Sequence, residues 1–171
     1  MFYEPKNGHP FKIDPFKALV FPRPIGWISS VSKKGIPNLA PYSYFNAVAD
    51  EPPQVMFCSN GDSAYGGYKD SLTNILSTKE FVVNFATANT RDAMNISSSN
   101  YKPNEDEFVA AKLKKRKSKL VKPPSVDDSP VNLECKLLKT LKLKTNTKKI
   151  STMVIGEIIG IYINNKFIKN G

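Results

Sequence analysis

Three short polar clusters in this chain carry residue types able to hold an anion and a flat ring together. The first is Arg23-Pro24-Ile25-Gly26-Trp27-Ile28-Ser29-Ser30. Pro22 and Pro24 stiffen the backbone on either side of Arg23, lowering the entropy cost of fixing its guanidinium on an anion. A surface arginine beside a proline turn is the plain alternative, and Trp27 suits a core position as readily as a stacking one. The second cluster is Asn38-Leu39-Ala40-Pro41-Tyr42-Ser43-Tyr44-Phe45-Asn46. Its small residues let backbone amides approach a ring, while Asn38 and Ser43 can bond a polar edge. If extended, it turns Tyr42 and Tyr44 to the face opposite Ser43, and a strand with one polar face is the alternative reading. The third is Lys69-Asp70-Ser71 at the start of a helical pattern. Free amides, the positive end of the helix dipole, an ammonium and a hydroxyl make a phosphate site there. Ordinary N-capping explains Asp70 equally well.

Other chemistries find little support. Cys58 and Cys135 are the only cysteines, so neither a disulfide framework nor a metal-ligand spacing exists, and a reducing cytoplasm fits. The one histidine, His9, reads as a surface or packing residue. The N-terminus MFYEPKNGHPFKIDPF lacks the charged start and apolar stretch of a signal peptide, and no apolar run is long enough to span a bilayer. A formal net charge of +10 raises nucleic acid as a partner. Against that, only Arg23, Arg91 and Arg116 are arginines among 25 basic residues, whereas base-reading and phosphate-forking surfaces favour the planar guanidinium. The lysines interleave with leucine and threonine in the manner of a solvated face, so no specific nucleic-acid role is assigned.

The elements that must position these clusters are short. A chain of 171 residues supports one core and one domain, residues 1–171. Asp14–Leu19 reads as one helical turn with Asp14 as N-cap and Pro15 at the first position. Gly26–Ser32 and Ile36–Ala40 read as a hairpin turning at Lys33-Lys34-Gly35, and Val55–Ser59 as a third strand entered through Pro52-Pro53. Leu72, Ile75 and Leu76 mark one buried helical face, with Asp70 as its N-cap. Phe81–Ala86 reads as a central strand, Arg91–Ile96 as a short helix ended by Ser97–Ser99. The stretch from Asn104 to Lys119 is ambiguous, a short helix near Glu105–Lys112 followed by extended chain into Pro123-Pro124. Alternation at Leu133, Cys135 and Leu137 gives a half-exposed strand, and Thr152–Ile163 an apolar one in which Gly156 and Gly160 admit a close neighbour. Strands dominate, which points to a closed or nearly closed antiparallel barrel.

These segments resemble a known family. RPIGWISSVSKKGIPNLAPYSYFNAVADEPPQVMF is similar to the signature segment of flavin reductase-like proteins with the FMN-binding split barrel. Further matches follow in order: KDSLTNI, EFVVNFAT, AMN at Ala93–Asn95, DEF at Asp106–Phe108, LVKPPSV, SPVNLEC and VIGEIIGIYI. They cover Phe16 to about Ile163. The resemblance implies a mainly β, Greek-key split β-barrel with short helices that forms a homodimer and holds FMN near the subunit interface. It implies a flavin lined by Arg23, Trp27, Ile28, Ser29, Ser30, Asn38, Leu39, Ala40, Ser43, Tyr44, Phe45, Lys69 and Ser71. NADH or NADPH would be the electron donor, with free flavin, a partner oxygenase or a small acceptor receiving the electrons. Because the flavin supplies the redox chemistry, no catalytic side chain is assigned. Two alternatives remain: an FMN-bound electron carrier docking through its basic surface to an acidic redox partner, and a non-enzymatic binding module with an incomplete flavin site. Many members of that family have histidine where this chain has Tyr162, and relatives usually continue past the position of Gly171 with an aromatic segment.

Overall fold

A computed structural model describes residues 1–103 and 105–169. Asn104, where the ambiguous stretch opens, lies outside the described residues, as do Asn170 and Gly171. A 3-10 turn at Pro5–Asn7 precedes a single helical turn, α1 (Phe16–Leu19). The Asp14 carboxylate accepts the Phe16 N–H at 3.0 Å, and Pro15 stands at the N-cap, one position earlier than expected. Strands β1 (Gly26–Val31) and β2 (Pro37–Tyr42) form the expected hairpin. Gly35, at φ 83°, supplies the left-handed residue of its turn.

Strand β3 (Phe45–Asp50) corrects the sequence reading, which went directly from β2 to the strand after Pro53. Beyond Phe45 its residues are exposed, so no alternation of apolar side chains betrays it; pairing with β4 (Pro53–Asn60) holds it instead. Helix α2 (Asp70–Thr78) buries Leu72 and Ile75 as expected. Its N-cap is Lys69, however, and no side chain caps it. Strand β5 (Glu80–Asn84) follows, then a 3-10 turn at Ala88–Thr90 locked by a Thr87–Thr90 capping box, and α3 (Arg91–Ile96). Helix α4 (Glu107–Ala110) is shorter than expected and is capped by Asp106, which accepts the Phe108 N–H at 3.0 Å. The extended chain beyond it carries two unforeseen two-residue strands, β6 (Lys115–Arg116) and β7 (Ser125–Val126), paired with each other. Two long strands, β8 (Val131–Lys142) and β9 (Ser151–Ile163), follow, and then a 3-10 turn at Asn165–Phe167.

Seven strands form one antiparallel sheet in the order β2-β1-β5-β8-β9-β4-β3. Its first and last members, β2 and β3, are consecutive in the chain and separated only by Ser43 and Tyr44. A sheet whose two edges are joined by two residues has to curl on itself, which makes the split barrel. The Cys58 N–H donates to the Tyr44 carbonyl at 2.9 Å, carrying the β3–β4 ladder one residue into that link. Inside, Ile28, Phe57, Leu72, Ile75, Phe81, Val83 and Val154 form the main core. A second cluster of Trp27, Leu39, Met94, Phe108 and Val126 packs beneath α3 and α4. Between them Asn84 is fully buried and fully bonded. Its amide donates to the Trp27 carbonyl and Ser29 Oγ, and its oxygen accepts from Val126 N and Asn132 Nδ2. Among the described residues no helix is long and apolar enough to cross a membrane.

Candidate functional site

The β2–β3 seam, the first turn of α2, α1, the segment after α3 and α4 converge on one cavity of about 290 Å³. From β2 and the seam come Asn38, Ala40, Tyr42, Ser43 and Tyr44; from the start of α2 come Lys69, Asp70 and Ser71. Tyr42, Ser43 and Tyr44 all reach the cavity because the chain bends at Ser43-Tyr44, contrary to the alternation an extended segment would impose. Six of the thirteen expected site residues therefore meet in the wall at Asn38, Ala40, Ser43, Tyr44, Lys69 and Ser71, joined by Lys17 and Glu107.

The other seven stand behind it. Trp27, Ile28, Ser29 and Ser30 are fully buried and none lines the cavity. The Trp27 Nε1–H donates to Ser97 Oγ at 2.9 Å, Ser29 Oγ donates to the Pro124 carbonyl at 2.6 Å, and Ser30 Oγ accepts from Asn74 Nδ2 at 3.2 Å. The hydroxyls on β1 are thus spent on tying neighbouring segments to the barrel. Leu39 and Phe45 are core residues, Phe45 packed against the bare Cα of Gly26. Arg23 turns to the carbonyls of Lys17 and Val20, with its guanidinium carbon 5.7 Å from the Tyr44 ring centroid. It fastens the end of α1, the element that brings Lys17 to the cavity.

One end of the cavity suits an anion. Lys17 and Lys69 both line it beside the free amides that open the nine-residue α2. Burial pushes the Lys69 ammonium below its ordinary range and repulsion from Lys17 adds to this. An anion between the two ammoniums opposes both effects, so the donor set fits a phosphate. The wall also holds acid. Burial raises the Asp70 carboxyl, and burial pushes Glu107 up to about 7 despite a hydrogen bond from the Leu39 N–H at 2.9 Å. The Tyr42 phenol is pushed up to about 12 by burial and stays protonated.

Glu107 and Lys17 escaped the sequence reading. Glu107 lies in the DEF segment but reads as one more charged residue beside Asp106, and Lys17 reads as the exposed face of a helical turn. The serine run Ser97–Ser99, read only as a helix end, also reaches the cavity. Tyr162 does not. Its ring lies 3.6 Å beneath the Arg116 guanidinium, in a separate cavity of about 250 Å³ with Leu120 and Gly160.

The flavin reductase like domain model matches residues 18–170. An uncharacterized protein of Aquifex aeolicus is 47% identical over 122 residues, which make up 71% of this chain and 61% of that protein. The chain therefore spans less than two thirds of that relative's length. Among solved structures, nitrilotriacetate monooxygenase component B from Bacillus cereus superposes with a TM-score of 0.87 at 30% identity, covering 100% of this chain and 85% of its own. The Pseudomonas fluorescens 2-nitrobenzoate 2-nitroreductase NbaA superposes with a TM-score of 0.80 at 26% identity, covering 99% and 79%.

Proposed function

Because this chain belongs to the flavin reductase-like domain family, we propose that it is a single-domain, homodimeric oxidoreductase that binds FMN in the cavity at the β2–β3 seam. The observation that carries this reading is the meeting of Lys17, Lys69 and the start of α2 at one end of a cavity whose remaining wall is largely polar. Lys69, Lys17 and the α2 amides would hold the phosphate, with Asn38, Ala40, Ser43 and Tyr44 along the ring. When bound, the flavin would supply the two-electron chemistry, taking electrons from NADH or NADPH and delivering them to free flavin, a partner oxygenase or a small acceptor. The chain's own residues bind and orient. The buried Trp27–Ser30 strand gives the wall a rigid backing, and Arg23 keeps Lys17 in place.

The electron-carrier reading has one observation in its favour. The net charge of +10 suits docking to an acidic redox protein, with association rates that fall as salt rises.

An absorbance spectrum of the purified protein, taken before and after anaerobic NADH and then NADPH, tests the assignment. Oxidised-flavin bands that bleach within seconds support the reductase and identify the donor. Bands that persist favour the carrier, and a protein that stays colourless after FMN is added defeats both.

A further inference from the structure

The outer end of the β8–β9 hairpin carries unbalanced positive charge. Residues 136–156 hold six lysines, Lys136, Lys139, Lys142, Lys144, Lys148 and Lys149, and no aspartate or glutamate. All six are exposed, and among the described residues none of them is paired with a carboxylate. The other basic run, Lys112–Lys122, is partly neutralised, because Lys115 pairs with Asp106 and Arg116 with Asp127. Lysine on an edge strand prevents pairing with another chain, and this accounts for Lys139 and Lys142, since β5 stops pairing with β8 at Lys136. Lys144, Lys148 and Lys149 lie beyond the last strand pair, Lys142 with Thr152, and guard no edge.

This end of the hairpin is fastened to the rim of the cavity at the β2–β3 seam. The Gly61 N–H donates to the Ile150 carbonyl at 2.7 Å, and the Ile150 N–H donates to Asp62 Oδ1 at 2.9 Å. Ser151 Oγ donates to Asn60 Oδ1 at 2.5 Å. Asn60 and Asp62 line the cavity, as do Ser63 and Ala64 after them. Lys148 and Lys149 therefore immediately precede the residue bonded to the cavity wall.

Resting on the placement of a flavin in this cavity, we propose that the hairpin end, centred on Lys144, Lys148 and Lys149, docks an acidic redox protein that exchanges electrons with the flavin. Leu138 and Leu141, 48% and 49% exposed, stand beside the lysines and supply apolar contact. Lysine ammoniums are hydrated point charges that attract without a fixed fork, which suits a short-lived encounter. A membrane surface fits less well. No aromatic residue lies between Cys135 and Ile161, and the tip Thr145-Asn146-Thr147 is polar. In each encounter one electron leaves the partner's reduced centre for the flavin, and two encounters with protons from solvent complete the reduction.

Stopped-flow reduction of the FMN-loaded protein by reduced plant-type ferredoxin, an acidic two-iron, two-sulfur protein, tests the docking. The wild type is compared with Lys144→Gln/Lys148→Gln/Lys149→Gln and with Lys114→Gln/Lys117→Gln/Lys119→Gln, which removes the same charge from the other basic run. In about 0.02 M salt the hairpin variant is expected to react about tenfold more slowly than the wild type, and the second variant less than about twofold more slowly. In about 0.5 M salt, where screening is strong, the three rates are expected to fall and converge. Light-driven reduction by a small neutral deazaflavin checks that each flavin is intact, and is expected to be equal in all three. Equal slowing of the two variants, a wild-type rate that salt does not lower, or no reduction by ferredoxin overturns the docking while FMN stays bound. So does an unmoved ferredoxin rate with hairpin-dependent retention on phosphatidylserine vesicles, which would assign the lysines to a membrane. Protein that retains no FMN overturns the flavin reading itself, and the docking with it.

Discussion

A methyl group on the Cα of Gly26 would stand 2.6 Å from Cδ2 of the Phe45 ring. The first residue of β1 and the first of β3 are therefore in contact through a hydrogen atom, and this lets the sheet's last strand close over its second. Gly26→Ala is expected to force the Phe45 ring aside at a cost of about 1–3 kcal/mol, the usual range for overpacking. Urea denaturation measures it. A loss under about 0.5 kcal/mol would mean that the ring has room to retreat.

Asn84 makes four hydrogen bonds and is fully buried. Replacement by leucine fills the space but leaves the Val126 N–H, the Trp27 carbonyl and the Asn132 amide without partners. Each such group costs about 1–3 kcal/mol, so Asn84→Leu is expected to lose at least about 3 kcal/mol or to yield no folded protein. Soluble expression and thermal melting give the answer.

Glu107 gives stability a pH dependence of known sign. Its folded value, about 7, lies above the ordinary 4.5. Between those limits the folded state binds the proton more strongly than the unfolded one, so stability falls as pH rises from about 4.5 to about 7 and the loss is complete above that window. The full loss is at most about 3 kcal/mol. Unfolding curves at pH 5, 6, 7 and 8 are expected to show this decline in the wild type relative to Glu107→Gln. Parallel curves for the two proteins refute it.

Lys69→Ala and Lys17→Ala are each expected to weaken FMN by about tenfold or more, the scale of a lost charge-assisted bond, while riboflavin is little affected. Arg23→Ala should act through the same lysine by releasing the end of α1. Equilibrium dialysis of both flavins distinguishes a phosphate contact from general damage. Equal losses for FMN and riboflavin would move the phosphate away from this end of the cavity.

Ser43→Trp places an indole in the cavity at the bend between β2 and β3. A folded protein with no retained flavin is the expected product, assessed by circular dichroism and by absorbance after incubation with FMN. Normal flavin content would sink the placement of the ring along the seam.

The barrel itself was legible because its strands carry their burial in the sequence: the β1–β2 hairpin, the central FVVN strand and the apolar run of β9 all stand where periodicity puts them. What stayed hidden is held by pairing rather than by burial. Strand β3 shows an exposed row of Asn, Ala and Asp, and β6 and β7 are too short to have a period. At the site, Lys69 and Ser71 were legible because a helix start is a local feature. Trp27–Ser30 stands behind the cavity wall for a physical reason, since serines on a strand look available to a ligand until distant partners at Asn74 and Pro124 claim them. Lys17 and Glu107 were out of reach. Glu107 is held at the cavity by Leu39, far back along the chain, and Lys17 by a turn of α1 that Arg23 fastens.

Ser43 and Tyr44, the two residues that join the edge strands of the sheet, both also line the cavity. Opening of the barrel and emptying of the site are then one event, seen from inside the fold or from outside it. A bound molecule would act as a rivet, and its reporter is a single amide. The Cys58 amide hydrogen, which ties the Tyr44 carbonyl of that link to β4, should exchange with deuterium more slowly as ligand concentration rises, in step with occupancy and ahead of any change in the remainder of the sheet.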